Sequence, residues 1–431
     1  MRIVFFNPIG EIGGAERVLL LLLAHLKNDA LKNNAAKQPA SMSDATISQS
    51  PLELRVLLGS DGPLRAEAER LGIAVDVFPL PAALLTFGDS QLSREHGGGR
   101  FLTRARVLFR AALSLPVGLL YLVRIRRKLR ELAPDLIHSN GLKTHLIAAL
   151  ARPKRAKLLW HLHDFLGDRA LIGRLLRMLR GRATLAVANS DAVRDDAAAL
   201  LDPLDIRTIH NGIDVDRFSP AAGDGPLLDR LASLPPAPSS TIRIGLVATY
   251  ARWKGHETFL RAAAAIMRNA PNRPLRFYIV GGPIYRTAGS QYSEPELRSL
   301  VAELGLAPSV GFVPFQSDTA AIYRALDVVV HAGTRREPFG LTIVEAMSCG
   351  RAVVTSAAGG AAEIAEPGIN SLTFPMADVA ELAAAIMQLA GDPTLRERLG
   401  QGGRATATDR FAAPAMGRAF AKLYQSFHRS T

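Results

Sequence analysis

Short apolar runs alternate with longer helical patterns along the whole chain, an order that is typical of β-α-β units in parallel sheets. The predicted strands form two series. The first contains Ile3–Asn7, Leu54–Leu58, Leu136–His138, Leu158–His161 and Leu185–Ala188, and the second contains Ile242–Ala248, Phe277–Val280, Asp327–His331 and Ala352–Thr355. The alternation therefore predicts an α/β fold with two doubly wound parallel sheets, one in each half of the chain.

The length of 431 residues favours two domains, because one hydrophobic core rarely organises more than about 250–300 residues. We place an N-terminal domain at residues 1–218 and a C-terminal domain at 241–408. A stretch rich in Pro, Ala, Gly and Ser at 219–240 reads as the linker. We expect a last helix, 409–431, to pack back on the N-terminal domain, and mobile surface loops at 28–50 and 87–99.

The composition, 48% hydrophobic and 21% charged, is that of a soluble globular protein. The single cysteine, Cys349, excludes an intramolecular disulfide and points to a reducing cytoplasm. No histidine lies near it in sequence to activate a thiol, so a catalytic role is not favoured. Neither a cleavable signal peptide nor the roughly 20 apolar residues of a membrane span is apparent.

Positive charge is concentrated in one part of the chain. Residues 94–182 hold 20 Lys and Arg against five Asp and Glu, while the whole chain carries +13. Arg104, Arg106 and Arg110 precede the apolar run 111–123, and Arg124 and Arg127 follow it. Such a segment suits a helix lying on an anionic membrane. A core helix with solvated arginines is the alternative.

The pair Glu337 and Glu345 brackets the strongest motif, EPFGLTIVE, which follows a predicted strand. A strand, a glycine loop and a helix place the helix N-terminus at the carboxyl edge of the sheet, where its amides suit a diphosphate. We expect Glu337 to lie in the loop and Glu345 about two turns into the helix, and eight helical steps would separate the two residues by about 12 Å. Glycosidase carboxylates lie closer together, so these two would instead contact separate parts of one ligand. A helix cap plus a solvated glutamate is the simpler alternative.

The segments around this motif are similar to the C-terminal signature of the family 4 retaining glycosyltransferases. The similar segments are Glu337–Val354, Gly359–Ile364, Lys254–Gly255, Asn211–Asp214 and Gly13–Glu16, spread over nearly the whole chain. The resemblance implies the GT-B architecture, in which two Rossmann-like domains face a central cleft. It further implies that the C-terminal domain binds a nucleotide-sugar donor and that the acceptor lies on the N-terminal side.

Donor contacts follow from the same resemblance. It implies that Glu345 binds the ribose hydroxyls and that Glu337 binds a hydroxyl of the transferred sugar. Backbone amides around Phe339, Gly340 and Leu341 would contact the phosphates and the sugar. We expect Glu345 to be a ligand contact outside the hydrophobic core.

Lys254 matches the lysine with which this family contacts the donor diphosphate. The family's partner arginine falls at Thr249 in this chain, so Arg252 is a candidate substitute. Without the resemblance, a basic loop of this kind would be interpreted as solvated surface charge. Gly13 and Gly14 join the first strand to its helix, where small residues let a ligand approach the backbone closely. A simple tight turn is the alternative there, and the resemblance implies a position beside the donor phosphates.

His163 follows a predicted strand, and the family has a histidine at this place, near the donor sugar and the acceptor. We predict His163, Glu337 and Lys254 as the catalytic residues. Glu16 and Asn140 are predicted to lie on the acceptor side. A lone histidine is more often structural, so the assignment of His163 depends on the resemblance.

For this family the resemblance implies a front-face transfer in which the departing phosphate takes the proton of the acceptor. Positioning and electrostatics would then supply most of the catalysis. We expect no metal and no cofactor. The D-x-D sequence Asp214–Asp216 is interpreted as structural, because it lies near the predicted domain junction. Ser190 is interpreted as a helix cap.

The function predicted is transfer of a sugar from a UDP- or GDP-sugar to a sugar, glycolipid or other hydroxyl acceptor. Its setting would be cell-envelope or polysaccharide synthesis in the cytoplasm or on the inner face of the cell membrane. A nucleotide-sugar epimerase, which shares this architecture, is one alternative. A nucleic-acid-binding protein is another, although no aromatic-basic sheet motif or zinc pattern accompanies the basic stretch.

Overall fold

The computed structural model describes residues 1–35, 52–81, 100–283 and 290–428. The chain divides into two compact units. The first unit comprises Met1–Gly212 and Ala413–Thr431, and the second comprises Ile213–Ala412. Each unit contains one parallel sheet with helices, which confirms the predicted α/β class and the two doubly wound sheets.

The sheet of the first unit has seven strands, all parallel, in the order β3-β2-β1-β4-β5-β6-β7. The strands are β1 (Arg2–Asn7), β2 (Glu53–Leu58), β3 (Ala74–Val77), β4 (Leu136–Ser139), β5 (Lys157–Leu162), β6 (Leu185–Ala188) and β7 (Ile206–Thr208). The helices between them are α1 (Gly14–Ala35), α2 (Pro63–Arg70), α3 (Arg100–Leu132), α4 (Leu142–Ala151), α5 (Ala170–Leu179) and α6 (Asp191–Leu201). A short 3-10 helix, Arg180–Arg182, follows α5.

The sheet of the second unit has six parallel strands in the order β10-β9-β8-β11-β12-β13. They are β8 (Ile242–Val247), β9 (Leu275–Val280), β10 (Val310–Val313), β11 (Val328–His331), β12 (Ala352–Thr355) and β13 (Leu372–Thr373). The helices are α7 (Gly225–Leu231), α8 (His256–Asn269), α9 (Glu294–Glu303), α10 (Thr319–Ala325), α11 (Leu341–Ser348), α12 (Gly360–Ile364), α13 (Val379–Gly391) and α14 (Pro393–Arg410). A 3-10 helix, Arg252–Lys254, follows β8.

Burial explains why the central strands are almost uniformly apolar. All four residues of β6, β11 and β12 are buried, because helices cover both faces of a parallel sheet. Polar side chains therefore cluster where the strands end, and that edge of each sheet carries the residues described below.

The last helix, α15 (Ala413–His428), belongs to the first unit and packs against α1. Its Tyr424 is fully buried, and the hydroxyl lies 2.6 Å from Nδ1 of His138 at the sheet. The ring of Phe420, in the same helix, packs against the His138 ring at 5.5 Å between centroids.

The unit boundaries differ from the predicted 1–218, 219–240 and 241–408. The change of unit falls after Gly212, and the predicted linker lies inside the second unit, where it forms α7. Asp224 caps that helix by accepting a hydrogen bond from the Leu227 amide, and Leu228 is fully buried. The Pro- and Ala-rich composition of this segment therefore led to a prediction that missed the packed helix α7.

The predicted loop 28–50 also begins too early, because α1 continues to Ala35. Residues 36–50 and the whole of 87–99 lie outside the described residues.

Candidate active site

In the second unit, the polar residues at the carboxyl edge of the sheet centre on Glu337. Lys254 lies at the end of the 3-10 helix after β8, and its Nζ is 2.7 Å from Oε2 of Glu337. His331, the last residue of β11, places its Nε2 3.1 Å from the same oxygen. Thr355, at the end of β12, lies 3.2 Å from Nδ1 of His331. Three adjacent strands thus converge on one carboxylate.

The electrostatics of Glu337 follow from these contacts. Burial alone would raise the pKa of Glu337, but the charge of Lys254 and the hydrogen bond from His331 outweigh it and hold the pKa well below its usual range. The side chain is only 14% exposed. The carboxylate is therefore ionised and preorganised as a hydrogen-bond acceptor.

Backbone contacts hold the Glu337 loop in place. The Glu337 amide donates to the Ala358 carbonyl at 3.0 Å, and the Gly360 amide donates back to the Glu337 carbonyl at 2.7 Å. On the other side, Gly255 adopts a left-handed conformation with φ of 79°. A Cβ there would overlap the carbonyl oxygen of Ala332, so only glycine fits beside Lys254.

The N-terminus of α11 lies immediately after this loop. Gly340 is its cap residue, with φ of 109°, and it supplies no side-chain cap. The first amides and the positive end of the helix dipole are thus available to an anion. Phe339 is 3% exposed, with its ring 5.5 Å from that of Phe411, so its side chain belongs to the core and its backbone alone could contact a ligand.

Glu345 differs from the prediction in two respects. Glu337 lies in the loop before α11, as predicted. Because α11 begins at Leu341, Glu345 lies about one turn into the helix and not two, and the 12 Å helical separation is wrong. Glu345 is also buried, at 5% exposure, and its Oε2 accepts a hydrogen bond of 2.9 Å from the Tyr323 hydroxyl of α10. It is a contact of the core as well as a candidate ligand contact.

Arg252 has partners within the second unit. Its guanidinium donates to Oε1 of Glu296 at 2.7 Å and lies 4.2 Å from the centroid of the Tyr292 ring. Glu296 in turn forms the capping box of α9 with Ser293. A donor phosphate would have to compete with this carboxylate, so the substitution of Arg252 for the family arginine stays a prediction.

In the first unit, three adjacent strands end in polar residues that contact one another. Asn7 ends β1, Asn140 follows β4 and His163 follows β5. His163 Nε2 lies 2.6 Å from Asn140 Oδ1, and Asn140 Nδ2 donates to Asn7 Oδ1 at 2.8 Å. Asn7 continues the line by donating from Nδ2 to Oε1 of Glu16 at 3.2 Å. The structure thus brings together three predicted residues, His163, Asn140 and Glu16, through Asn7, which the sequence analysis missed.

The glycine loop completes this group. The Gly13 amide donates to Oε2 of Glu16 at 3.0 Å, and Gly14 begins α1. Glu16 is 6% exposed. Burial raises the pKa of Glu16, while the hydrogen bonds from Asn7 and Gly13 act in the opposite direction. Glu16 therefore contacts the backbone of the glycine loop between β1 and α1.

His163 lies at the end of a row of contacting histidine rings. Its ring centroid is 4.1 Å from that of His161, and His161 Nδ1 is 3.1 Å from His138 Nε2. Burial lowers the pKa of His163 to about 4 and that of His145 to about 3, and it lowers the pKa values of His138 and His161 as well. All four rings are neutral at pH 7, so His163 offers a neutral imidazole to a ligand.

Two protein-family models match the chain. The model for glycosyl transferases group 1 matches residues 235–406, and the model for glycosyltransferase family 4 matches residues 64–217. Together the two models match 326 of the 431 residues, so both units of the chain are similar to glycosyltransferases.

Curated relatives of the chain are also named as glycosyltransferases. The D-inositol 3-phosphate glycosyltransferase of Saccharomonospora viridis is 32% identical over 225 residues, which cover 51% of this chain and 50% of the relative. The enzyme of that name from Salinispora arenicola is 34% identical over 209 residues, covering 47% and 46%. The chain spans about half the length of the curated relatives it matches.

Solved structures establish the architecture. The Anabaena protein Alr3699/HepE in complex with UDP-glucose has a TM-score of 0.72 at 25% identity, over 99% of this chain and 100% of that one. Sucrose-phosphate synthase from Thermosynechococcus elongatus has a TM-score of 0.71 at 20% identity, over 100% of both chains, and supports the fold alone. The predicted GT-B architecture is confirmed.

Three residues outside the groups around Glu337 and His163 have structural roles. Ser190 caps α6 by accepting from the Val193 amide at 3.1 Å, as predicted. Asp214 accepts from the backbone amides of Asp216 and Arg217, so that carboxylate closes a turn. Burial raises the pKa of the Cys349 thiol to about 11, which does not fit a nucleophile.

Proposed function

We propose that this glycosyltransferase transfers a sugar, with retention of anomeric configuration, from a nucleoside-diphosphate sugar to a hydroxyl acceptor. A UDP- or GDP-sugar is the proposed donor, and a sugar or glycolipid the proposed acceptor. The observation that carries the proposal is the buried Lys254–Glu337 pair beside the uncapped N-terminus of α11. The Anabaena neighbour, whose structure contains UDP-glucose, adds support for a uridine donor.

The proposed chemistry assigns each part of this site a step. Lys254 and the first amides of α11 would stabilise the diphosphate as the bond to the sugar breaks. Glu337 would hold a hydroxyl of the sugar, and Glu345 the ribose. In a front-face reaction the departing phosphate oxygen takes the proton of the attacking hydroxyl. His163 would accept a hydrogen bond from a substrate hydroxyl, and the reaction would need no metal.

The test is nucleotide release from a panel of UDP-, GDP- and ADP-sugars, with and without EDTA. The acceptor panel includes D-inositol 3-phosphate, because the curated relatives are named for it. We expect release that depends on the acceptor and persists in EDTA, and a product whose anomeric configuration, read by NMR, matches the donor. An inverted product would contradict the mechanism, loss of activity in EDTA would contradict metal independence, and an epimerised donor without a glycoside would indicate the epimerase instead.

We further propose a peripheral position on an anionic membrane surface. One side of α3 is apolar and exposed, with Leu119, Leu120 and Val123 at 61%, 60% and 67% exposure. The exposed Arg124 and Arg127 follow them. This combination of apolar and basic side chains fits the interface of an anionic bilayer.

The neighbouring helices extend this surface. The helix α4 packs against both α3 and α5, and α5 exposes Met178 at 79% beside Arg174 and Arg177. The side chains of Arg104, Arg106 and Arg110 lie outside the described part of the chain. Among the described residues, no helix combines the length and the apolar character needed to cross a bilayer.

Co-sedimentation with vesicles tests this position. We expect binding to vesicles of phosphatidylcholine with phosphatidylglycerol and little binding to phosphatidylcholine alone. The double variant Leu120→Ser with Val123→Ser should bind less, whereas Ile369→Ser, which alters an equally exposed residue of the second unit, should not. Equal binding to both vesicles, or none to either, would refute the membrane role.

A further inference from the structure

A line of four hydrogen-bonded side chains connects Glu16 to His163 at the carboxyl edge of the first sheet. The bonds run from Asn7 to Glu16 at 3.2 Å, from Asn140 to Asn7 at 2.8 Å, and between His163 and Asn140 at 2.6 Å. Asn7 and Asn140 are 0% and 2% exposed. Since water cannot replace these partners, the direction of each bond is determined by the neighbour on either side.

The direction is set at the Glu16 end. A backbone carbonyl can only accept, and Asn7 Nδ2 contacts both the Ile9 carbonyl and one oxygen of Glu16, whose other oxygen accepts from the Gly13 amide. The Asn7 NH2 therefore faces Glu16, where it also donates to the Ile9 carbonyl at 2.7 Å.

The same order continues to the histidine. With its NH2 directed to Glu16, Asn7 presents its oxygen to the NH2 of Asn140. Asn140 must then present its oxygen to His163, and only a protonated Nε2 can donate to it. In a neutral imidazole the other nitrogen, Nδ1, then carries the lone pair.

We propose that Glu16 and Asn7 are positioning residues that fix the tautomer of His163, with the proton on Nε2 and the lone pair on Nδ1. In that tautomer His163 accepts a hydrogen bond from a substrate hydroxyl and cannot donate one to it from Nδ1. The tautomer is a property of the protein without substrate. The hydrogen bond from a substrate hydroxyl to Nδ1 rests on the proposed function, which this inference deepens.

Packing of the ring supports this role. The His163 ring packs against the ring of His161, tilted by 43° at 4.1 Å between centroids, and His161 is held by His138. This contact restricts rotation of the His163 ring, and the bond to Asn140 selects which nitrogen is protonated. Orientation and protonation of the ring are therefore controlled by separate neighbours.

The experiment is 15N NMR of the substrate-free protein labelled at histidine, with the His163 signals identified by their loss in His163→Gln. We expect Nε2 to show the shift of a protonated nitrogen and Nδ1 that of a lone-pair nitrogen. In Asn7→Leu the two forms should mix, because Asn140 is released to turn its amide. In Glu16→Gln the two forms should also mix, because the Gln oxygen must face the Gly13 amide and its NH2 then opposes the NH2 of Asn7, which the Ile9 carbonyl still requires.

Asn189→Leu is the matched control. Asn189 follows β6 at the same sheet edge, is 3% exposed and lies outside the line of bonds, so its loss should leave the His163 shifts unchanged. An unchanged His163 tautomer in folded Asn7→Leu and Glu16→Gln would overturn the proposal. So would an equal change in Asn189→Leu.

Turnover separates this proposal from the function on which it rests. In Asn7→Leu we expect kcat to fall about three- to tenfold, as for the loss of one neutral hydrogen bond, with donor KM little changed. A tautomer change without any change in kcat would support the line of bonds and refute the role of His163 in the reaction.

Discussion

Lys254 and Glu337 form an ion pair in the absence of a ligand, and this pairing determines what each substitution can reveal. Both side chains are mostly buried, at 24% and 14% exposure. Removing one partner leaves the other charge poorly solvated, so activity and stability change together. A test of either residue therefore needs a control that removes a similar pair elsewhere.

For Lys254→Met we expect kcat to fall on the order of a hundredfold, because a positive charge near the departing phosphate is lost. The control is Lys128→Met, which breaks the pair of Lys128 with Asp76, 2.6 Å apart and 27% and 21% exposed. Steady-state kinetics with a soluble acceptor, together with thermal unfolding, check both variants. Equal losses of activity in the two variants, or a loss within threefold for Lys254→Met, would remove Lys254 from catalysis.

Glu345 calls for a conservative variant, since it is buried against Tyr323. For Glu345→Gln we expect the donor KM to rise about tenfold or more, because a hydrogen bond to a charged group is worth about 1.5–3 kcal/mol. Tyr323→Phe removes the contact behind Glu345 and should change the donor KM less. Titration calorimetry with UDP and GDP measures the same difference at equilibrium. A donor affinity unaffected by Glu345→Gln would assign this residue to the core alone.

At the scale of elements, the sequence predicted the buried central strands and missed the strands with weaker patterns. The strands β3, β7 and β13 are short and only partly buried, so their apolar periodicity is faint. The strand β10 is buried, but it has four residues and contains Gly311. Edge strands are specified by pairing with a neighbour, which a local pattern does not contain.

In the candidate site, too, the sequence analysis identified some residues and missed others. The family resemblance identified Lys254, Glu337 and His163, each of which follows a strand. The roles of Asn7 and His331 depend on side chains that meet only in the folded sheet, although both end predicted strands. Their position at the end of a strand was the signal in the sequence that could have identified Asn7 and His331.

The helix α15 provides a prediction about an element. Tyr424 contacts the buried Nδ1 of His138, so Tyr424→Phe should leave that nitrogen without this partner and lower the free energy of unfolding by about 1–3 kcal/mol. In Tyr121→Phe the lost contact, with the Phe78 carbonyl, is long at 3.5 Å, and the change should be smaller. Urea unfolding followed by circular dichroism measures both. Equal effects would mean that the Tyr424 contact adds nothing to the attachment of α15.

At the scale of the whole molecule, buried neutral histidines make stability depend on pH. Burial lowers the pKa values of five of them in the folded chain, His138, His145, His161, His163 and His256. Unfolding restores values near 6.5, so below that pH the unfolded chain binds more protons than the folded one. Their contribution is complete above about pH 6.5 and is lost as the pH falls toward the folded values. The raised pKa of Glu16 acts in the opposite direction, but it is a single group.

We therefore expect the urea midpoint to fall between pH 7 and pH 5, a range in which carboxylates with ordinary pKa values near 4 contribute little. His145→Phe should reduce this slope by about one proton, because burial lowers the pKa of His145 to about 3. The stacking of His145 on Trp160, 5.9 Å away, favours an aromatic replacement that keeps the packing. Unfolding curves at half-unit intervals of pH, for the unaltered chain and the variant, give the two slopes. A midpoint independent of pH over this range would mean that the histidines are protonated in the folded state, and it would contradict the neutral His163 on which the tautomer argument depends.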